Sequence, residues 1–167
     1  MNKQKITIIS NPTSGKGESL NAAIEIHKIL ELNGFEVKIK NTNGQGDAKN
    51  LASEAVHDGA ESIIGCGGDG TIHEIINGLS TINPGHSKPK LGIMPTGRCN
   101  NLAKELKLNN NANTLCQLII DSKYNSIDLG KVNNTLFATV AALGFDSKVA
   151  EYVDAGKHPK FLSGTLS

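Results

Sequence analysis

Gly65-Cys66-Gly67-Gly68-Asp69-Gly70-Thr71 is the stretch that decides the fold. It leaves a short apolar run, Glu61–Gly65, that reads as a strand, and opens a segment, Thr71–Leu79, that reads as a helix. A strand-to-helix turn this rich in glycine lets backbone N–H groups point into one concavity, and the helix amino end adds partial positive charge. Phosphate is the natural guest of such a loop. Asp69 inside it would repel phosphate unless a magnesium ion or an ordered water stood between them, which points to a metal–nucleotide complex. The plainer alternative is a tight turn with Asp69 as helix cap, although capping alone needs fewer glycines. Gly65, Gly67 and Gly70 also satisfy GxGxxG. A dinucleotide fingerprint, however, follows the first strand and has an acidic residue about 20 positions later, where this chain has Lys90.

Working outward, strands are predicted at Lys5–Ser10, Phe35–Lys40 and Lys90–Met94, with helices at Glu18–Asn33 and Asp47–Asp58, both closed by glycine. Four strands alternating with helices predict a parallel α/β sheet with its ligand chemistry at the carboxyl ends of the strands. Helices are then predicted at Asn101–Leu106 and from about Asn113 to Asp121, the latter capped by Asn113 or Thr114. From Tyr124 the pattern turns strand-like: Asn125–Leu129, a turn at Gly130 to Asn134, then Thr135–Ala142, and a helix at Ser147–Asp154. The division falls near residue 122, giving a nucleotide lobe over 1–122 and the beginning of a β-rich lobe over 123–167.

Two further loops follow predicted strands. Asn11-Pro12-Thr13-Ser14-Gly15-Lys16-Gly17 resembles a phosphate-binding loop only superficially, since GxxxxGK[ST] would need glycine at Ser10 and a hydroxyl residue at Gly17. Ser14 or a neighbour there is expected to cap the first helix. In Pro95-Thr96-Gly97-Arg98-Cys99-Asn100-Asn101, Arg98 could grip phosphate oxygens bidentately, with Asn100 nearby at a helix amino end.

The 167 residues carry 17 Lys plus Arg against 16 Asp plus Glu, a net charge of +1, and only 4% aromatics. That balance supplies neither a steering field nor stacking platforms for nucleic acid. Three cysteines without a CxxC spacing suit a reduced chain, no run is long enough to span a membrane, and a cytoplasmic location is expected. His73-Glu74 is followed by Asn77 where a zinc HExxH site would need its second histidine. The cluster Lys157, His158, Lys160 reads as a solvated segment.

Gly67–Thr71 followed by Ile72-His73-Glu74-Ile75-Ile76-Asn77-Gly78-Leu79 resembles the hallmark of the diacylglycerol kinase catalytic-domain family, which includes sphingosine kinases and bacterial lipid kinases. Asn11-Pro12 with Ser14-Gly15, the Leu91–Pro95 strand with Gly97 and Asn100, and Ile127-Asp128-Leu129-Gly130 follow that family's order. The resemblance implies a phosphofructokinase- and NAD kinase-like parallel-sheet nucleotide lobe followed by a β-sandwich lobe. It also implies ATP-dependent phosphorylation of the hydroxyl of diacylglycerol or a related lipid, and with a lipid acceptor, peripheral membrane contact. By position, Thr42 and Cys66, Gly67, Gly68, Asp69, Gly70, Thr71 and Ile72 would line the ATP site, with Asn11 beneath, the Gly97 loop closing it, and Asp69 in a magnesium and water network. Two departures stand out. Arg98 occupies the place of the family's usual hydroxyl residue, and Asn100-Asn101 replaces Asn-Asp. The family's general base and magnesium ligands lie late in the sandwich lobe, beyond residue 167, so the chain alone is expected to be inactive. A non-catalytic ATP-binding remnant and an NAD kinase-like enzyme with Asp69 as base are the alternatives.

Overall fold

The computed structural model describes residues 3–80, 89–141 and 147–148. Strands β1 (Lys5–Ser10), β2 (Glu36–Asn41), β3 (Ser62–Gly67) and β4 (Lys90–Pro95) form one parallel sheet in the order β2-β1-β3-β4. Between and after them come α1 (Glu18–Leu32), α2 (Asp47–His57), α3 (Asp69–Leu79), α4 (Asn101–Glu105) and α5 (Ala112–Ile120). A hairpin, β5 (Gly130–Val132) with β6 (Thr135–Phe137), forms a separate antiparallel pair.

Side chains alternate across a strand, so each central strand feeds both faces of the sheet. Ile6 and Ile8 of β1, Ile64 and Cys66 of β3 and Met94 of β4 pack against α1 and α5 through Ile26, Leu30, Leu115, Cys116 and Ile119. Ile9 and Ile63 face the other way, against Ala48, Ala52, Ala55 and Val56 of α2 and Ile75 of α3. β3 is buried along its whole length, as a central parallel strand covered on both faces must be. A third cluster gathers Ile72 and Ile76 of α3, Ile93 of β4 and Leu102 and Ala103 of α4, with Leu136 and Ala138 of the hairpin region packed on it.

The chain runs from β1 outward to β2, then returns past β1 to β3. The order therefore reverses between β1 and β3, and in open α/β sheets this is where a crevice opens at the carboxyl ends of the strands. Register keeps those ends level, with Ser10 beside Asn41 and Cys66, and Gly67 beside Pro95.

Several boundaries shift. β3 extends to Gly67 and α3 begins at Asp69, so the glycine turn shrinks to Gly68. The cap of α5 is Asn111, whose side chain accepts the Thr114 N–H at 2.9 Å, rather than Asn113 or Thr114. Helix α1 starts behind Gly17, a left-handed residue at φ 97°, and Ser14 does not cap it. The hairpin is present but moved along the chain. Asn125–Leu129, expected as its first strand, is exposed and irregular, and Gly130, expected in the turn, pairs with Phe137. The second strand stops at Phe137 among the described residues, and most of the expected helix at Ser147–Asp154 lies outside them.

Candidate functional site

The loops at the carboxyl edge are tied to one another by polar contacts. The Asn11 N–H donates to Cys66 O at 3.0 Å, and Asn11 Nδ2 reaches Thr71 Oγ1 at 3.3 Å, so the first loop is bound to both ends of the glycine turn. Asn11 Oδ1 accepts from Thr13 N and Thr13 Oγ1 and fixes the turn after β1. Beneath it, Ser19 Oγ donates to Cys66 O and contacts Ser10 Oγ at 2.9 Å, which satisfies two hydroxyls in a fully buried setting. The third loop joins through Thr96, whose N–H donates to Gly67 O at 3.1 Å and whose Oγ1 donates to Ser14 Oγ at 3.3 Å.

Contact between the glycine turn and the third loop is closest at Gly68 and Gly97. A Cβ on Gly97 would lie 2.4 Å from Gly68 Cα, so a side chain there would force the loops apart. The Asn100 side chain folds back on Gly97, accepting its N–H at 3.0 Å and donating to its carbonyl at 2.8 Å.

Asp69 has a different partner from the one its position suggests. Its Oδ2 accepts the Asn101 N–H at 3.0 Å and its Oδ1 the Leu102 N–H at 3.2 Å, so it caps α4 across the loop instead of facing an anion. A carboxylate at a helix amino end satisfies orphan N–H groups and complements the helix dipole. The charge that raised the expectation of a metal is thereby accounted for within the protein. Among the described residues no three His, Cys, Asp or Glu side chains gather to hold a metal ion. Asp69 is thus a capping carboxylate with both oxygens engaged, and it stands without a second carboxylate, histidine or cysteine pair gathered around it among the described residues.

The other expected residues divide by location. Thr42 is half-buried at the end of β2, with its N–H on Ser10 O at 2.9 Å. Arg98 is exposed. Cys66 and Ile72 are core side chains, in the first and third clusters, so they can line a site only through backbone. Burial, and secondarily Cys116, pushes the Cys66 thiol up to about 12. The glycine turn is also not a left-handed nest. Gly68 is extended at φ −90°, while the left-handed run lies in the first loop at Gly15, Lys16 and Gly17. Gly67 serves packing, since a Cβ there would meet Thr71 Cβ at 2.6 Å. What remains for an anion is the first turn of α3, whose N–H groups lack intrahelical acceptors.

Glu74 was legible only as part of a motif. In the structure its two carboxylate oxygens accept the Gly46 N–H at 2.8 Å and the Ala48 N–H at 3.1 Å, so it caps α2 from α3 and fixes the loop that follows Thr42.

Residues 5–132 match the model of the diacylglycerol kinase catalytic domain. The chain belongs to this family. It is 34% identical over 142 residues to a diacylglycerol kinase of Staphylococcus aureus strain MRSA252, and 35% identical over 146 residues to that of strain Newman. Each alignment covers 85% of this chain and 44% of the relative. A crystal structure of a diacylglycerol kinase from Bacillus anthracis str. Sterne aligns with a TM-score of 0.68 at 30% identity, over 81% of this chain and 45% of that one. The chain thus spans less than half the length of these relatives and shares the α/β fold of its structural neighbour. No helix among the described residues is long and apolar enough to cross a membrane.

Proposed function

We propose that this chain is the nucleotide-binding part of a lipid kinase that transfers the terminal phosphoryl group of ATP to the hydroxyl of diacylglycerol or a related lipid. The observation that carries the reading is the cross-tied edge at the β1/β3 switch point, where Asn11, Thr71, Thr96 and the Gly68–Gly97 contact surround the amino end of α3. Phosphates laid against that turn meet N–H donors and the positive end of the helix dipole. Phosphoryl transfer asks mainly for positioning and charge neutralisation, which such an edge supplies. Magnesium enters this reading with the triphosphate, as part of the substrate.

The Thr42 loop lies beyond β1 at the other end of the same edge, and the close Gly68–Gly97 contact fills the space between the glycine turn and the third loop. A nucleotide with its phosphates on α3 therefore extends toward β2. Arg98 is exposed, and this reading gives its guanidinium the part of a bidentate partner for phosphate oxygens. Both oxygens of Asp69 are engaged by α4, which argues against Asp69 as the base of an NAD kinase-like reaction. A membrane-borne acceptor would bring the protein to the membrane surface peripherally.

Millimolar magnesium-ATP is expected to raise the melting temperature of the chain, because a ligand that binds only the folded state stabilises it. Gly68→Val, whose side chain meets Gly97 Cα at 3.3 Å already at its Cβ, should abolish that shift. The protein that carries this chain should phosphorylate diacylglycerol. Absence of any ATP-dependent shift in the folded wild type would sink the reading.

A further inference from the structure

Asn77 is 7% exposed, on α3 two turns beyond the glycine turn. Its Oδ1 accepts the Leu136 N–H at 2.9 Å, and its Nδ2 donates to Leu136 O at 3.0 Å and to His73 O at 2.9 Å. The two bonds with Leu136 reproduce the exchange that a neighbouring strand makes. In an antiparallel ladder alternate residues turn their N–H and C=O away from the partner, and Leu136, paired with Lys131, is such a residue in β6. The Asn77 carboxamide fills the place of a third strand. Among neutral side chains only an amide offers a donor and an acceptor side by side in the peptide's own geometry, so this contact fixes both register and rotation of the hairpin.

A cleft of about 710 Å³ opens between α4 and the segment after β6, lined by Asn101, Lys104, Glu105, Ala138, Thr139 and Val140. Both of its walls are referenced to α3. Asp69, at the amino end, holds α4 through Asn101 and Leu102, and Asn77, eight residues and about 12 Å further along the helix, holds the hairpin through Leu136. Leu136 and Ala138 complete the apolar cluster beneath. One helix therefore carries the glycine turn and sets the spacing of the cleft beside it.

We propose that Asn77 is a positioning residue for phosphoryl transfer: it holds the hairpin wall of the cleft at a fixed distance from the glycine turn, so that an acceptor hydroxyl entering the cleft is aligned with the nucleotide. This rests on the kinase reading above and assigns Asn77 no contact with ATP. Asn77→Ala removes both bonds to Leu136. Asn77→Asp keeps the acceptor for the Leu136 N–H but turns a carboxylate onto two carbonyl oxygens.

The test measures three quantities on the protein that carries this chain: exchange of the Leu136 amide, the dissociation constant for magnesium-ATP, and kcat with KM for ATP, using diacylglycerol in mixed micelles. Both variants are expected to exchange Leu136 faster and to lower kcat by about tenfold or more, while ATP affinity and KM for ATP stay within about twofold, because small misplacements of reacting groups are costly. The defect of Asn77→Asp should shrink as pH falls and its carboxyl group regains a proton to donate. Unchanged kcat despite faster exchange overturns the proposal, and so does a parallel loss of ATP affinity, which would mark Asn77 as a general structural support. A wild type that binds ATP but transfers nothing to the lipid defeats the kinase reading and this role with it, while Leu136 exchange still reports whether the pairing exists. If the alanine variant fails to fold, the isosteric aspartate carries the test.

Discussion

The carboxylate of Asp69 and the backbone N–H of Leu102, thirty-three residues apart, are joined at 3.2 Å, and the neighbouring Asn101 N–H completes the pair at 3.0 Å. The glycine turn and the third loop are thus mechanically one unit: the first residue of α3 caps α4. Asp69→Ala is expected to cost about 1 kcal/mol of stability, the usual loss on removing a cap, read as a lower urea midpoint. Asp69→Asn, which retains an acceptor but no charge, should lose less. If ATP still stabilises the asparagine variant but not the alanine variant, Asp69 acts through geometry. Loss in both would assign it an electrostatic role toward a magnesium-bound phosphate.

Gly97→Ala places a methyl group 2.4 Å from Gly68 Cα and 2.9 Å from Asn100 Oδ1. The backbone must give way, so the variant should be destabilised by roughly 1–3 kcal/mol, as overpacking is, and should lose its ATP response. Gly70→Ala is the control. Its Cβ meets nothing within 4 Å and the residue lies in the first turn of α3, so stability should hold or rise by up to about 1 kcal/mol. A fall in ATP affinity in that stable variant would locate the phosphates against Gly70.

Glu74→Gln leaves one acceptor for two N–H groups and turns an amide N–H₂ toward the other. We expect faster exchange of the Gly46 and Ala48 amides and a loss of about 1 kcal/mol in denaturant unfolding. Unaltered exchange at both amides would show that α2 does not depend on this cap.

The two core thiols make stability fall at alkaline pH. Burial, with Cys116 as the smaller cause, raises Cys66 from an ordinary 9.0 to about 12, and burial, with Glu25 as the smaller cause, raises Cys116 to about 11. The folded state therefore keeps protons that the unfolded state releases. Their contribution is fully present below pH 9 and is lost as pH rises from there toward 11 and 12. Each thiol adds a slope of up to about 1.4 kcal/mol per pH unit in that window. Cys66→Ala should flatten the alkaline limb of a stability–pH curve. In the folded protein at neutral pH, a thiol reagent should modify partly exposed Cys99 well before Cys66 or Cys116.

Much of the fold was legible in the sequence because its signals are local. β-branched runs such as Ile6–Ile9, glycine stops at Gly34 and Gly59, and the alternation of strand and helix depend on neighbours a few residues away, and the structure reproduces all four sheet strands and five helices to within about two residues. The region after residue 122 was read less well. Asn125–Leu129 has strand-like composition, but a short strand acquires its register from its partner, and Gly130 opposite Phe137 sets it.

The site divided along the same line. By itself the sequence determined which residues collect at the carboxyl edge, because the order of strands and loops dictates it, and Gly67–Leu79 carried the family. What each polar side chain is bonded to was decided only by tertiary structure. Asp69 reaches α4, Glu74 caps α2 and Asn77 stands in as a strand for Leu136, across sequence separations of 26 to 59 residues. A carboxylate or amide advertises its chemistry in one letter, but its partner is whichever unsatisfied backbone group packing brings within about 3 Å, and no local pattern encodes that.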